Sequence, residues 1–159
     1  MAQQPGWLEV RLAGRPNGST AWVPQSDVTL TSTSDWISVD LKTRHLALYQ
    51  YGRQIMSAPA GVGTGQDPTP TGQYFVAFLE ASPSAGYGPF ILVTSAHSSS
   101  IADWEGSGDA VIGIHGPLGA NALIGTTGAY LSHGCIRIPI PDLVQLRDVP
   151  AGSPISICG

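Results

Sequence analysis

Trp36-Ile37-Ser38-Val39-Asp40-Leu41-Lys42-Thr43-Arg44-His45-Leu46-Ala47-Leu48-Tyr49 decides what kind of fold this chain builds. Ile37, Val39 and Leu41 alternate with Ser38 and Asp40. A period of two puts the apolar side chains on one face of a half-buried strand. Lys42-Thr43-Arg44 reads as the turn, and His45 to Tyr49 resumes the alternation as a hairpin partner. Gly52 marks the next turn, and Gln54 to Ala60 reads as a third strand.

The same pattern extends toward the C-terminus. Tyr74-Phe75-Val76-Ala77-Phe78-Leu79, Phe90-Ile91-Leu92-Val93-Thr94 and Val111-Ile112-Gly113-Ile114 are strand-like runs. Gly61 to Gly72, rich in Gly, Pro and Thr, reads as a loop. One short helix is expected around Pro141. Pro141 fits its first turn, Asp142 suits its positive end, and Leu143, Val144 and Leu146 supply an apolar side. Pro150-Ala151-Gly152 stops it, and Pro154 to Cys158 reads as a last strand. The expected fold is mainly β, with packed, sandwich-like sheets and one short helix.

Upstream, residues 6–30 read as two or three short strands around an Asn17-Gly18 turn. Arg15-Pro16-Asn17-Gly18-Ser19-Thr20-Ala21-Trp22-Val23 resembles the closing hairpin of small SH3-like modules attached to bacterial wall enzymes. It is too short for a complete barrel. Residues 1–34 are therefore expected to be a remnant of such a module or an extension. Thr31-Ser32-Thr33-Ser34 forms the boundary, and residues 35–159 form the main domain.

Composition narrows the function classes. The chain has 159 residues, 42% hydrophobic and 11% charged, which suits one globular domain with a small appendage. A net charge of −4, with Lys42 the only lysine, argues against nucleic acid as a partner. No apolar run has the length of roughly 20 residues that a membrane-spanning helix needs. Met1-Ala2-Gln3-Gln4-Pro5 lacks the basic start and apolar core of a signal peptide, so the expected origin is a longer precursor. The two cysteines, Cys135 and Cys158, do not make a disulfide framework. Cys158 reads as a small apolar residue of the last strand.

The chemistry concentrates in Ser132-His133-Gly134-Cys135-Ile136-Arg137, with a second histidine, His115, upstream. A thiol attacks as thiolate, and a nearby imidazole can take its proton. Gly134 allows a sharp turn and close approach of a substrate. Amide N–H groups of that turn could hold an oxyanion. These residues propose acyl transfer through a thioester, with Cys135 as nucleophile. Spacing alone does not choose between His115 and His133 as its base. Zinc held by His115, His133 and Cys135 is another use of the same residues, although a clear fourth protein ligand is lacking.

His115-Gly116-Pro117, a spacer over 118–131 and Ser132-His133-Gly134-Cys135-Ile136-Arg137 together resemble the L,D-transpeptidases, the YkuD-like family of bacterial wall cross-linking enzymes. Gly61-Val62-Gly63-Thr64-Gly65 and Thr69-Pro70-Thr71-Gly72 resemble the family's glycine-rich loop and turn, and Ile37 to Gly52 its opening hairpin. The likeness covers roughly residues 35–158. Ile140 departs from the Asn that many members carry there, whereas Asp142 matches the acidic position that follows.

The resemblance implies that His115 serves Cys135, with the Gly116 carbonyl orienting its ring. It implies an oxyanion site at the N–H groups of Gly134 and Cys135, and His133 lining the acyl pocket. Arg137, Ser132 and Tyr87 are the expected substrate contacts. Tyr87 would sit on a flap in Gly86-Tyr87-Gly88-Pro89, Ser132 also suits a loop-holding role, and Arg137 an ion pair with an Asp. His97 has no assigned role and is expected at the surface.

The implied reaction joins peptidoglycan stem peptides by 3→3 cross-links, needs no cofactor, and is open to carbapenem-type β-lactams. An L,D-carboxypeptidase that trims tetrapeptide stems would use the same acyl-enzyme. A silent wall-binding module is the non-enzymatic alternative. The substrate class implies an exported, envelope location, and a monomer is expected.

Overall fold

The computed structural model describes residues 2–159. Strands β1 (Gln3–Gln4), β2 (Trp7–Arg11) and β3 (Thr20–Pro24) form a small antiparallel sheet in the order β1-β2-β3. All other strands belong to one larger sheet. They are β4 (Asp35–Asp40), β5 (His45–Gln50), β6 (Arg53–Pro59), β7 (Gly61–Gly63), β8 (Gly72–Ala81), β9 (Phe90–His97), β10 (Val111–His115), β11 (Ala129–Ser132), β12 (Ile136–Arg137) and β13 (Pro154–Cys158). Their order is β11-β7-β12-β10-β9-β8-β13-β4-β5-β6.

The opening hairpin forms as its alternation predicts. Ile37 faces Leu48 and Val39 faces Leu46, all four buried. The Asp40 carboxylate accepts the N–H groups of Lys42 and Thr43 at 2.8 and 3.0 Å, which closes the turn. On the opposite face Trp36 stacks on Tyr49 with ring centroids 4.1 Å apart.

The two layers expected from the sequence are one sheet curled on itself. β8 is the pivot. Gly72 to Phe75 pair with β13, and Val76 to Ala81 pair with β9, with a register shift between Val76 and Phe78. The far edge returns to the first hairpin. Gly128 and Ala129 lie against the carbonyls of Arg44 and Ala60, and the Tyr130 hydroxyl donates to the Leu41 carbonyl at 3.0 Å. One core results, in which Ile37, Leu46 and Met56 share a cluster with Ile112, Ile136 and Leu143.

Several expectations are corrected. Gly61 to Gly63 form a fully buried strand, not part of a loop. A Cβ on Gly63 would meet the Asp67 carbonyl oxygen and the Thr69 amide nitrogen, so this glycine serves close backbone approach. Among the described residues there are two short α-helices, α1 (Asn121–Ile124) and α2 (Ile140–Val144). The four residues of α1 are too few to show a helical period. Leu143 and Leu146 are buried as expected, but Val144 is exposed. His97 is 4% exposed, with Nδ1 2.8 Å from Asp109 Oδ2. No helix is long and apolar enough to cross a membrane among the described residues.

Candidate active site

β10 and β12 run parallel, with Ile114 beside Ile136 and His115 beside Arg137. This pairing brings the upstream histidine and the Ser-His-Gly-Cys run to one end of the sheet. Cys135 occupies the turn into β12, and His115 ends β10. Both line a groove of about 450 Å³, together with His133, Arg137 and Tyr87.

The turn before Cys135 is built from side chains with no other task. The Thr69 hydroxyl accepts the Gly63 N–H and donates to the Gly134 carbonyl, each at 2.8 Å. Gly134 has φ +113, and a Cβ there would come within 2.8 Å of Ile112. Ser132 is 1% exposed; its hydroxyl accepts the Gly134 N–H at 3.1 Å and donates to the Cys135 carbonyl. The buried Ser132 hydroxyl thus has both its partners within the loop. The same bond engages the Gly134 N–H that the sequence assigns to an oxyanion, leaving the Cys135 N–H as the freer donor.

His115 is 3% exposed, and its Nδ1 lies 2.8 Å from the Gly116 carbonyl. That contact fixes an Nδ1–H tautomer, with Nε2 as the acceptor. Burial lowers its pKa to about 4; the Gly116 carbonyl opposes the shift and the Arg137 charge adds to it. Burial pushes the Cys135 thiol up, while the Gly113 N–H, 3.4 Å from Sγ, and Arg137 pull it down. A resting thiolate is thus not what the surroundings favour. They favour a neutral thiol and a neutral imidazole.

Tyr87 ends a single turn of 3₁₀ helix, Ala85–Tyr87. Its ring lies 4.7 Å from the His115 ring. Its carbonyl accepts the Gly116 N–H at 2.7 Å, and the Gly86 carbonyl accepts that of Leu118 at 3.0 Å. His133 is largely exposed, its ring 5.2 Å from that of Trp104 and its Nε2 4.0 Å from Asp67 Oδ2. The Arg137 Nε is buried with no hydrogen-bond partner among the described residues.

Trp104 and Thr69 escape residue-by-residue reading as site components. The Thr-Pro-Thr-Gly turn was the available signal for Thr69, whereas Trp104 stands in a loop with no pattern. Cys158 is free and exposed, its thiol 3.6 Å from the Val39 carbonyl. Among the described residues no three His, Cys, Asp or Glu side chains gather to hold a metal ion, so the zinc alternative has no ligand set.

Comparisons with known proteins bear on the family and the fold. The model of the L,D-transpeptidase catalytic domain, YkuD, matches residues 34–157. A putative L,D-transpeptidase YkuD of Bacillus licheniformis is 28% identical over 122 residues, 76% of this chain and 64% of its own length. The chain thus spans just under two thirds of that relative. An L,D-transpeptidase from Mycobacterium smegmatis has the same fold at TM-score 0.61 and 17% identity, over 98% of this chain and 79% of its own. L,D-transpeptidase 3 from Mycobacterium tuberculosis, solved in complex with a faropenem-derived adduct, aligns at TM-score 0.59 and 17% identity, over 79% of this chain and 60% of its own. With the His-Gly strand end and the Ser-His-Gly-Cys turn meeting in one groove, and the family model spanning the sheet that carries them, this chain belongs to the L,D-transpeptidase catalytic domain family.

Proposed function

We propose that the protein is a peptidoglycan L,D-transpeptidase that forms 3→3 cross-links through a thioester on Cys135. Cys135 Sγ attacks the carbonyl of a diaminopimelate-type third residue of a tetrapeptide stem, and His115 Nε2 takes the thiol proton. The Cys135 N–H faces the developing oxyanion. The C–N bond breaks, His115 returns the proton to the departing D-alanine amine, and a thioester remains. The side-chain amine of a second stem then attacks the thioester, releases the thiol and forms the cross-link. Arg137 lines the groove and suits a substrate carboxylate. Tyr87 covers the His115 ring, and His133 lines the acyl side.

One observation carries this reading: His115, with its Nδ1 anchored on Gly116, opens onto the same groove as Cys135. The substrate class also implies action in the cell envelope.

Intact-mass spectrometry with a tetrapeptide stem, and separately with a carbapenem, tests the site. Wild type and Cys158→Ala are expected to gain the acyl mass, and Cys135→Ala to gain none. An adduct retained in Cys135→Ala would overturn the nucleophile. Product analysis tests the acceptor: a cross-linked dimer supports the transpeptidase, and free tripeptide alone replaces it with a carboxypeptidase.

A further inference from the structure

One wall of the groove is formed by the segment between β9 and β10, residues 98–110. Ser98, Ile101, Trp104, Ser107 and Asp109 all line it. The segment contains no helix or strand. Loops of this length are usually mobile unless something ties them down. Its own bonds close it internally: the Ser98 N–H donates to Ala110, that of Trp104 to Asp109, and that of Ser107 to Trp104.

The external ties come from the small N-terminal sheet. Arg15 stands in the β2–β3 connection and reaches both ends of the loop. Its Nε donates to Asp109 Oδ1 at 2.8 Å, and its two terminal nitrogens donate to the carbonyls of Ser98 and Ile101 at 2.8 and 2.7 Å. Beside it Asn17 forms a reciprocal pair with the backbone of His97. The Asn17 side-chain amide donates to the His97 carbonyl at 2.8 Å, and its oxygen accepts the His97 N–H at 2.9 Å. The planar fork of an arginine can satisfy three acceptors on two chain segments, which a single ammonium cannot do. The loop in turn lays Trp104 against His133, and Ser100 donates to Asp67 Oδ1 at 2.9 Å.

We propose that Arg15 and Asn17 are positioning residues that hold the 98–110 wall in place, so that the N-terminal sheet sets how the groove receives its acyl donor. The claim rests on the reading of the groove as an acyl-donor site. It makes the extension part of the working enzyme although it contributes no atom to the chemistry.

Arg15→Met, Arg15→Lys and Asn17→Ala in the full chain provide the test. Amide hydrogen exchange is followed residue by residue, and acylation by a tetrapeptide stem is measured over a range of concentrations. In Arg15→Met the amides of Ser98, Trp104 and Ser107 are expected to exchange about tenfold faster while those of β9 and β10 keep their protection. KM should rise about tenfold with kcat within about twofold, the signature of lost donor positioning without lost chemistry. Arg15→Lys should restore little, and Asn17→Ala should move both readouts in the same direction by less.

Unchanged exchange in the loop, or a loss carried by kcat alone, would overturn the proposal. Full recovery with lysine would also overturn it, because charge and not the three-pronged contact would then be the cause. If wild type itself forms no acyl-enzyme, the functional reading fails, and the exchange comparison still decides whether Arg15 holds the loop.

Discussion

Burial acts on the two reactive side chains so that both are neutral near pH 7. His115 is held at about 4, against 6.5 when exposed. Between those values the unfolded chain binds more protons than the folded one, so stability rises with pH across this window. The contribution is complete above pH 6.5 and is lost as pH falls toward 4, worth about 3 kcal/mol in all. Melting curves recorded from pH 7 to pH 4 should show this fall in wild type and a much flatter dependence in His115→Gln. The rate of acylation should share the same proton: its acid limb is expected near pH 4, not near 6.5. A limb at 6.5 would mean that the imidazole is solvated and that its neutral resting state is wrong. The sequence could name His115 and Cys135 because their neighbours are distinctive. It could not give their protonation, which comes from burial in the folded core and from contacts across strands, the Gly113 N–H on Cys135 and the Arg137 charge on His115.

Among the elements, the turn after β10 does the most to shape the site. A Cβ on Gly116 would meet the Gly86 carbonyl oxygen and the Tyr87 carbonyl group at 2.8 to 2.9 Å. All of these atoms are backbone, so neither side can yield by rotating a side chain. Gly116→Ala is expected to displace the Ala85–Tyr87 turn, destabilise the protein by about 1–3 kcal/mol and slow acylation more than it lowers the melting temperature. Urea unfolding beside acylation kinetics would check this. Long alternating elements such as β4 and β5 were legible because each carries its own period. β7, β11 and β12 were not, since two to four residues hold no period and the buried glycines of β7 mimic a loop. Their positions depend on partners far along the chain, as Gly61 shows by pairing with both Ala129 and Arg137.

At the scale of the whole molecule, β13 joins the two halves of the large sheet. It lies between β4 and β8, parallel to the first and antiparallel to the second, with Ile155 opposite Ile37 and Tyr74. Ile155 is fully buried. Ile155→Ala should cost about 2–5 kcal/mol, measured as a shift in the urea midpoint with little change in slope. The mainly β class and the last strand could be read from residue patterns. The curl could not, because it arises where β8 passes from β13 at Phe75 to β9 at Val76, a property of register and not of composition.

The central place of β13 also governs when the fold can form. Its contacts with β4 and β8 join distant parts of the large sheet, so the sheet stays open along those two strands until Pro154–Cys158 have been made. Until then a nascent chain carries two unsatisfied strand edges, the kind of surface that chaperones shield.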